Sequence, residues 1–142
     1  MRDRSEICLD ADLVLGNLDS DPEPAISGFW RALERDRTVL HAPSLLRYEV
    51  IDQVHRLQKA GKLSVEAAGR MLTTAFQLPI IFHNGDALHL RAFQLAAQYG
   101  LPATYDAHYL ALAERLGIDF WTMDGKLVKA VGERLPWVRL VG

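Results

Sequence analysis

Short apolar runs alternate along this chain with longer segments whose apolar positions recur every three or four residues. That alternation marks strands interleaved with amphipathic helices. Ile7-Cys8-Leu9-Asp10-Ala11 reads as a first strand ending in a carboxylate, giving way at Leu13-Val14-Leu15 to a helix start. After the turn-rich Asp19–Pro24, the spacing of Ile26, Phe29, Trp30 and Leu33 predicts a helix to about Arg35. Thr38–His41 is a second strand, and Ser44 is positioned to cap a helix with Leu46, Val50, Val54 and Leu57 on one face. Gly61 closes that helix, Ser64 caps the next, and Leu78–Phe82 makes a third strand, with Pro79 at its beginning or on an edge. Asp86 opens a helix filled by Leu88, Phe93, Leu95 and Ala96 and stopped at Gly100. Thr104 is expected to cap a helix through Leu116, Gly117 to end it, and Ile118–Thr122 to form a fourth strand. Asp124 begins a last short helix, and Trp137–Val141 reads as a fifth strand.

Such an order implies an α/β fold: a three-layer α/β/α sandwich around a mostly parallel sheet of four to five strands, joined by right-handed crossovers. At 142 residues, with no internal repeat and no long linker, residues 1–142 are expected to form one domain. Apolar residues make up 49% and charged residues 24%, and no run approaches the length of a membrane span, which predicts a soluble protein. Residues 1–6 lack the apolar stretch of a secretion signal, so the cytosol is the expected location. The lone Cys8, between Ile7 and Leu9, is expected in the core. A net charge of −2 does not announce a nucleic-acid binder, but acids gathered around cations would leave the remaining surface more basic than that sum.

Sites in open parallel sheets form beyond the carboxyl ends of the strands. Four acids belong there: Asp10 ends strand 1, Glu49 lies in the second turn after strand 2, Asp106 in the first turn after Thr104, and Asp124 directly after strand 4. Like charges so gathered resist joint ionisation, and a divalent cation resolves the conflict. Magnesium or manganese on oxygen ligands would lower the pKa of a water and steady a phosphoryl group, which is the chemistry of phosphodiester hydrolysis. The plainer reading makes each acid a helix cap or first-turn residue favoured by the helix dipole. It serves three of them better than Glu49, which lies past the cap on a mostly apolar helix.

Four segments carry a family resemblance: Leu9-Asp10-Ala11, Ala42-Pro43-Ser44-Leu45-Leu46-Arg47-Tyr48-Glu49-Val50, Tyr105-Asp106-Ala107-His108-Tyr109-Leu110-Ala111-Leu112-Ala113 and Thr122-Met123-Asp124-Gly125-Lys126-Leu127. They resemble the successive motifs of PIN domains, and within these the VapC-type toxins of prokaryotic toxin–antitoxin pairs. The resemblance covers most of the chain. It implies metal-dependent RNA cleavage, magnesium or manganese on Asp10, Glu49, Asp106 and Asp124, a supporting hydroxyl at Thr122, frequent homodimers and a small antitoxin partner with a disordered segment. One departure stands out: two residues past the first acid the family usually has Ser, Thr or Asn, and here Asp12 offers a fifth, auxiliary carboxylate.

Asp10-Ala11-Asp12-Leu13-Val14 also resembles the opening motif of haloacid-dehalogenase-like phosphatases, with Asp10 as nucleophile and Asp12 as general acid. The later motifs of that family are not found in order. A non-catalytic binding module is the remaining alternative, and an intact set of acids argues against it. His41, His55, His83, His89 and His108 show no close metal-ligand spacing, although His108 lies two residues past Asp106. Arg47, Arg56, Lys59, Lys62, Lys126 and Lys129 are candidates for phosphate contacts. Trp30, Trp121 and Trp137 read as core or interface anchors.

Overall fold

A computed structural model describes residues 3–142. Five strands, β1 (Asp3–Leu9), β2 (Val39–Pro43), β3 (Ile80–His83), β4 (Ile118–Thr122) and β5 (Val138–Leu140), form one sheet in the order β3-β2-β1-β4-β5. All four pairings are parallel. Seven helices cover it: α1 (Ala11–Leu18), α2 (Pro24–Arg35), α3 (Leu45–Lys59), α4 (Val65–Phe76), α5 (Asp86–Tyr99), α6 (Tyr105–Leu116) and α7 (Gly125–Val131). Helix α1 packs with α2, α3 and α4, whereas α5 and α6 pack together, with α6 lying on β1, β2 and β4. The three-layer expectation therefore holds, with a sheet that is wholly parallel.

Cys8, Leu9, Leu13, Val14, Val50, Leu110, Leu112 and Phe120 form the centre of one continuous core. Cys8 is fully buried there and burial pushes its thiol well up, the state of an inert core residue. A β-carbon on Gly16 would stand 2.7 Å from Ile26 Cδ1, so a larger residue there would make the end of the Ile26 side chain shift. Helix α2 ends with Thr38 N–H donating to Leu33 O at 2.9 Å and Arg37 N–H to Glu34 O at 3.2 Å. This closure puts Arg37 at φ 52°, a left-handed conformation that usually takes glycine and costs another residue about 1 kcal/mol.

Several local expectations are corrected. Strand β1 begins at Asp3, because pairing of Asp3 with Ile118 recruits polar residues that carry no apolar signal. Ser44 and Thr104 already have helical backbone and make no side-chain cap. Ser44 N–H instead donates to His83 O at 2.8 Å, and the Thr104 carbonyl accepts from His108. Phe93, among the apolar residues of α5, is 66% exposed, since the buried stripe of that helix runs through Leu88, Ala92, Leu95 and Ala96. Ser64 does cap its helix, accepting from Ala67 N–H at 3.0 Å. Trp30, Trp121 and Trp137 are half-buried against the core.

Candidate active site

With β2 and β3 to one side of β1 and β4 and β5 to the other, the chain reverses its direction of travel across the sheet between β1 and β4. Such a switch point opens a crevice beyond the carboxyl ends of the two strands. Asp10 leaves β1 there and caps α1, its Oδ1 accepting from Leu13 N–H at 3.0 Å. Across the crevice Thr122, the last residue of β4, donates its hydroxyl to Asp10 Oδ2 at 2.5 Å, and Met123 N–H adds a second donor at 3.2 Å. The Thr122 oxygen in turn accepts from Asp124 N–H at 3.0 Å. Asp124 caps α7 through Lys126 and Leu127 N–H. Thr122 is thus a buried clasp between two acids that stand 114 residues apart in sequence.

Glu49 reaches the site from the second turn of α3. A residue the sequence did not flag holds it: Tyr109, buried in α6 one turn beyond Asp106, donates its hydroxyl to Glu49 Oε1 at 2.6 Å. The Tyr109 ring stacks on Phe120 at 5.3 Å, so the phenol is fixed by the core. Burial, then the Glu49 charge, pushes its own pKa well up, which keeps it a proton donor.

The electrostatics tie these acids into one group. Asp10 is raised from 3.8 to about 6, first by burial, with Asp12 adding repulsion against three lowering hydrogen bonds. Burial raises Glu49, with Asp106 and Asp12 contributing, and the Tyr109 hydrogen bond opposes the rise. Asp106 is raised by desolvation of its carboxyl and by the charges of Asp124 and Asp12. Asp12, which accepts from Gln53 at 3.0 Å, therefore acts on three of the four predicted acids. Two nearby cations are engaged elsewhere: Arg56 pairs with Asp52 at 3.0 Å, and the Arg47 guanidinium lies over the Phe82 ring at 4.3 Å.

Among the described residues, no three His, Cys, Asp or Glu side chains converge on a single point as a finished metal cage. Magnesium keeps several waters and uses only one or two carboxylates directly. The fit is thus a matter of donors, which are all hard oxygens whose mutual repulsion a cation would relieve. Four of the five histidines pair with one another: His41 Nδ1 with His83 Nε2 at 2.9 Å, and His89 Nδ1 with His108 Nε2 at 2.8 Å. His108 also bonds Thr104 O at 2.7 Å, so both its ring nitrogens are engaged.

A wholly parallel sheet with these acids at its switch point fits a PIN-type domain. No family model matches the chain. Ribonuclease VapC3 of Mycobacterium tuberculosis is 33% identical over 94 residues, 66% of this chain and 66% of that protein's length. Ribonuclease VapC3 of Pyrobaculum aerophilum is 32% identical over 92 residues, 63% of this chain and 70% of the relative. The chain belongs to the VapC-type family of PIN-domain proteins. Its fold is similar to that of PAE2754 from Pyrobaculum aerophilum, with a TM-score of 0.69 at 20% identity, covering 96% of this chain and 83% of that one. FitAcB from Neisseria gonorrhoeae gives 0.65 at 16% identity, covering 96% of both.

Proposed function

We infer that this chain is an endoribonuclease that hydrolyses RNA phosphodiester bonds with magnesium or manganese. The observation that carries the reading is the gathering of acids at the switch point, where burial raises the carboxyls of Asp10, Glu49 and Asp106, the charge of Asp12 adds to each, and Asp124 acts on Asp106. Asp10, Glu49, Asp106 and Asp124 would hold the cation, with Asp12 auxiliary. When bound, that ion supplies neutralisation of phosphoryl oxygens and acidification of water. The chain's own residues do the positioning. Thr122 fixes the Asp10 carboxylate while keeping Asp124 in register, and Tyr109 fixes Glu49. Asp10 accepts three hydrogen bonds on its two oxygens, which suits a held ligand better than the free nucleophile of the phosphatase alternative.

The VapC name of both relatives supports a toxin of a type II toxin–antitoxin pair. An antitoxin helix would suit the cleft between α1, α3 and α4, lined by Leu15, Leu18, Leu57, Leu63 and Met71. The adjoining groove shares Leu15 and Leu57 and reaches Glu49, which gives a disordered partner a route to the acids. Leu90 and Phe93, 64% and 66% exposed and one turn apart on α5, offer an apolar surface for a homodimer. Among the described residues no helix is long and apolar enough to cross a membrane. We place the protein in the cytoplasm as one domain over residues 1–142.

Purified protein is expected to cleave a mixed RNA pool with manganese or magnesium and to stop in EDTA. Asp106→Asn should lower the rate roughly a thousandfold, about 4 kcal/mol of transition-state stabilisation. Metal-independent cleavage, or full activity in the variant, would sink the reading.

A further inference from the structure

At the opposite end of the sheet from the acids a second cleft opens, of about 590 Å³, well within the roughly 300–1,000 Å³ of small-ligand pockets. Its position follows from its walls: Thr38 and Leu40 stand at the start of β2, Leu78 and Pro79 precede β3, and Asn17 lies near the end of α1. Helix α1 starts at the acids and rises roughly 12 Å to that end.

The chemistry of the walls is uneven in a telling way. Trp30 presents an aromatic surface that is fixed in place, because its Nε1–H donates to Leu13 O at 2.9 Å. Arg31 follows it on α2, and Arg37 lies just past the helix end. Neither guanidinium has an ion pair among the described residues, although Glu34 lines the same cleft. Arg37 also holds a left-handed backbone conformation that glycine would adopt without strain. Two guanidiniums match the oxygens of a phosphate, an indole suits a nucleobase, and Ser27, Glu34 and Asn17 supply polar partners for a ribose.

We propose that this cleft is a nucleotide-binding site, taking a base against Trp30 and its phosphate between Arg31 and Arg37. The nucleotide is either free or part of an RNA strand that also reaches the acids. The second source rests on the ribonuclease reading, and the first does not.

Calorimetric titration of the full chain in EDTA with adenosine 5′-monophosphate, beside inorganic phosphate, tests the site without any need for cleavage. The expected result is binding of the nucleotide at least tenfold tighter than of phosphate, weakened at least tenfold in Arg31→Ala/Arg37→Gly. Arg37→Gly alone is expected to melt at a higher temperature while binding less, an opposite movement that a merely structural arginine would not produce. Steady-state cleavage of a 20-nucleotide RNA then assigns the source. A KM raised severalfold in the double variant with kcat unchanged assigns it to the strand, and unchanged kinetics assign it to free nucleotide. The proposal is overturned if the parent does not bind the monophosphate, if phosphate alone binds as well, or if the double variant binds like the parent. Absence of all cleavage by the parent would remove the ribonuclease reading and leave the titration to decide the site.

Discussion

At the carboxyl ends of β1 and β4 the acids face one another, and desolvation and like charge raise Asp10, Glu49 and Asp106 together. Across β1, β2 and β3 a second ionisable cluster is arranged the other way. His41, only 6% exposed, bonds Glu6 Oε1 at 2.7 Å through Nε2 and His83 at 2.9 Å through Nδ1, so each group is met by its neighbour. The second cluster pairs its groups with one another, whereas the first gathers carboxyls whose ionisation burial and like charge oppose. Ionisable residues alone do not mark a site; carboxyls shifted upward together in a crevice are the stronger pointer.

The pH dependence of stability sharpens this contrast most. Asp10 is held at about 6 in the native state against 3.8 as its ordinary value. The folded protein therefore binds that proton more tightly than the unfolded chain. Its contribution is fully present below about pH 4 and is lost as pH rises through about 6, some two units or about 3 kcal/mol in the metal-free protein. His83 tilts the curve oppositely, because burial, His41 and Arg115 lower its pKa. The quantity to measure is thus the difference in unfolding free energy between wild type and Asp10→Asn in EDTA, at pH 4 and pH 7.5. It should shift by up to about 3 kcal/mol in favour of wild type at pH 4, and manganese at pH 7.5 should restore wild type selectively. A difference that stays flat with pH would contradict the raised pKa of Asp10.

The self-contained cluster should fail differently. His41→Leu keeps volume but strips partners from Glu6 and His83, and urea unfolding is expected to show a loss of about 2 kcal/mol. Cleavage per folded molecule should stay within about twofold of wild type. A collapse of activity at preserved stability would mean that this ladder serves the chemistry after all.

How much of this was legible beforehand depends on range. Asp10 and Asp124 stand where an apolar run stops, so their place at strand ends follows from local pattern, and Gly100 and Gly117 end their helices in the left-handed conformation their identity suggests. Ser44 and Thr104 carry the same kind of local signal, yet their backbones are already helical and their carbonyl and amide groups are used instead. Partners distant in the chain left no trace at all. His41 and His83 are 42 residues apart, and Tyr109 and Glu49 are 60 apart. In the sequence Tyr109 is one more apolar position on a helix stripe, and only the sheet that brings α3 and α6 together gives its hydroxyl a partner. Phe93 fits the helical period of α5 yet lies outside the stripe that α6 covers.

Tyr109 also carries the smallest and most discriminating test of the comparison. Tyr109→Phe keeps the ring stacked on Phe120 and removes one hydroxyl, so the core stays filled. Glu49 loses its donor, and with it the influence that opposes the rise in its pKa. Stability should fall by about 1 kcal/mol, whereas kcat should drop roughly tenfold with KM little changed. The pH profile separates the two roles. With Glu49 less readily ionised, the acidic limb of the rate profile should move to higher pH in Tyr109→Phe, and higher manganese should recover part of the rate at a given pH. An unchanged acidic limb beside a lowered melting temperature would reduce Tyr109 to a core residue and leave Glu49 positioned by α3 alone.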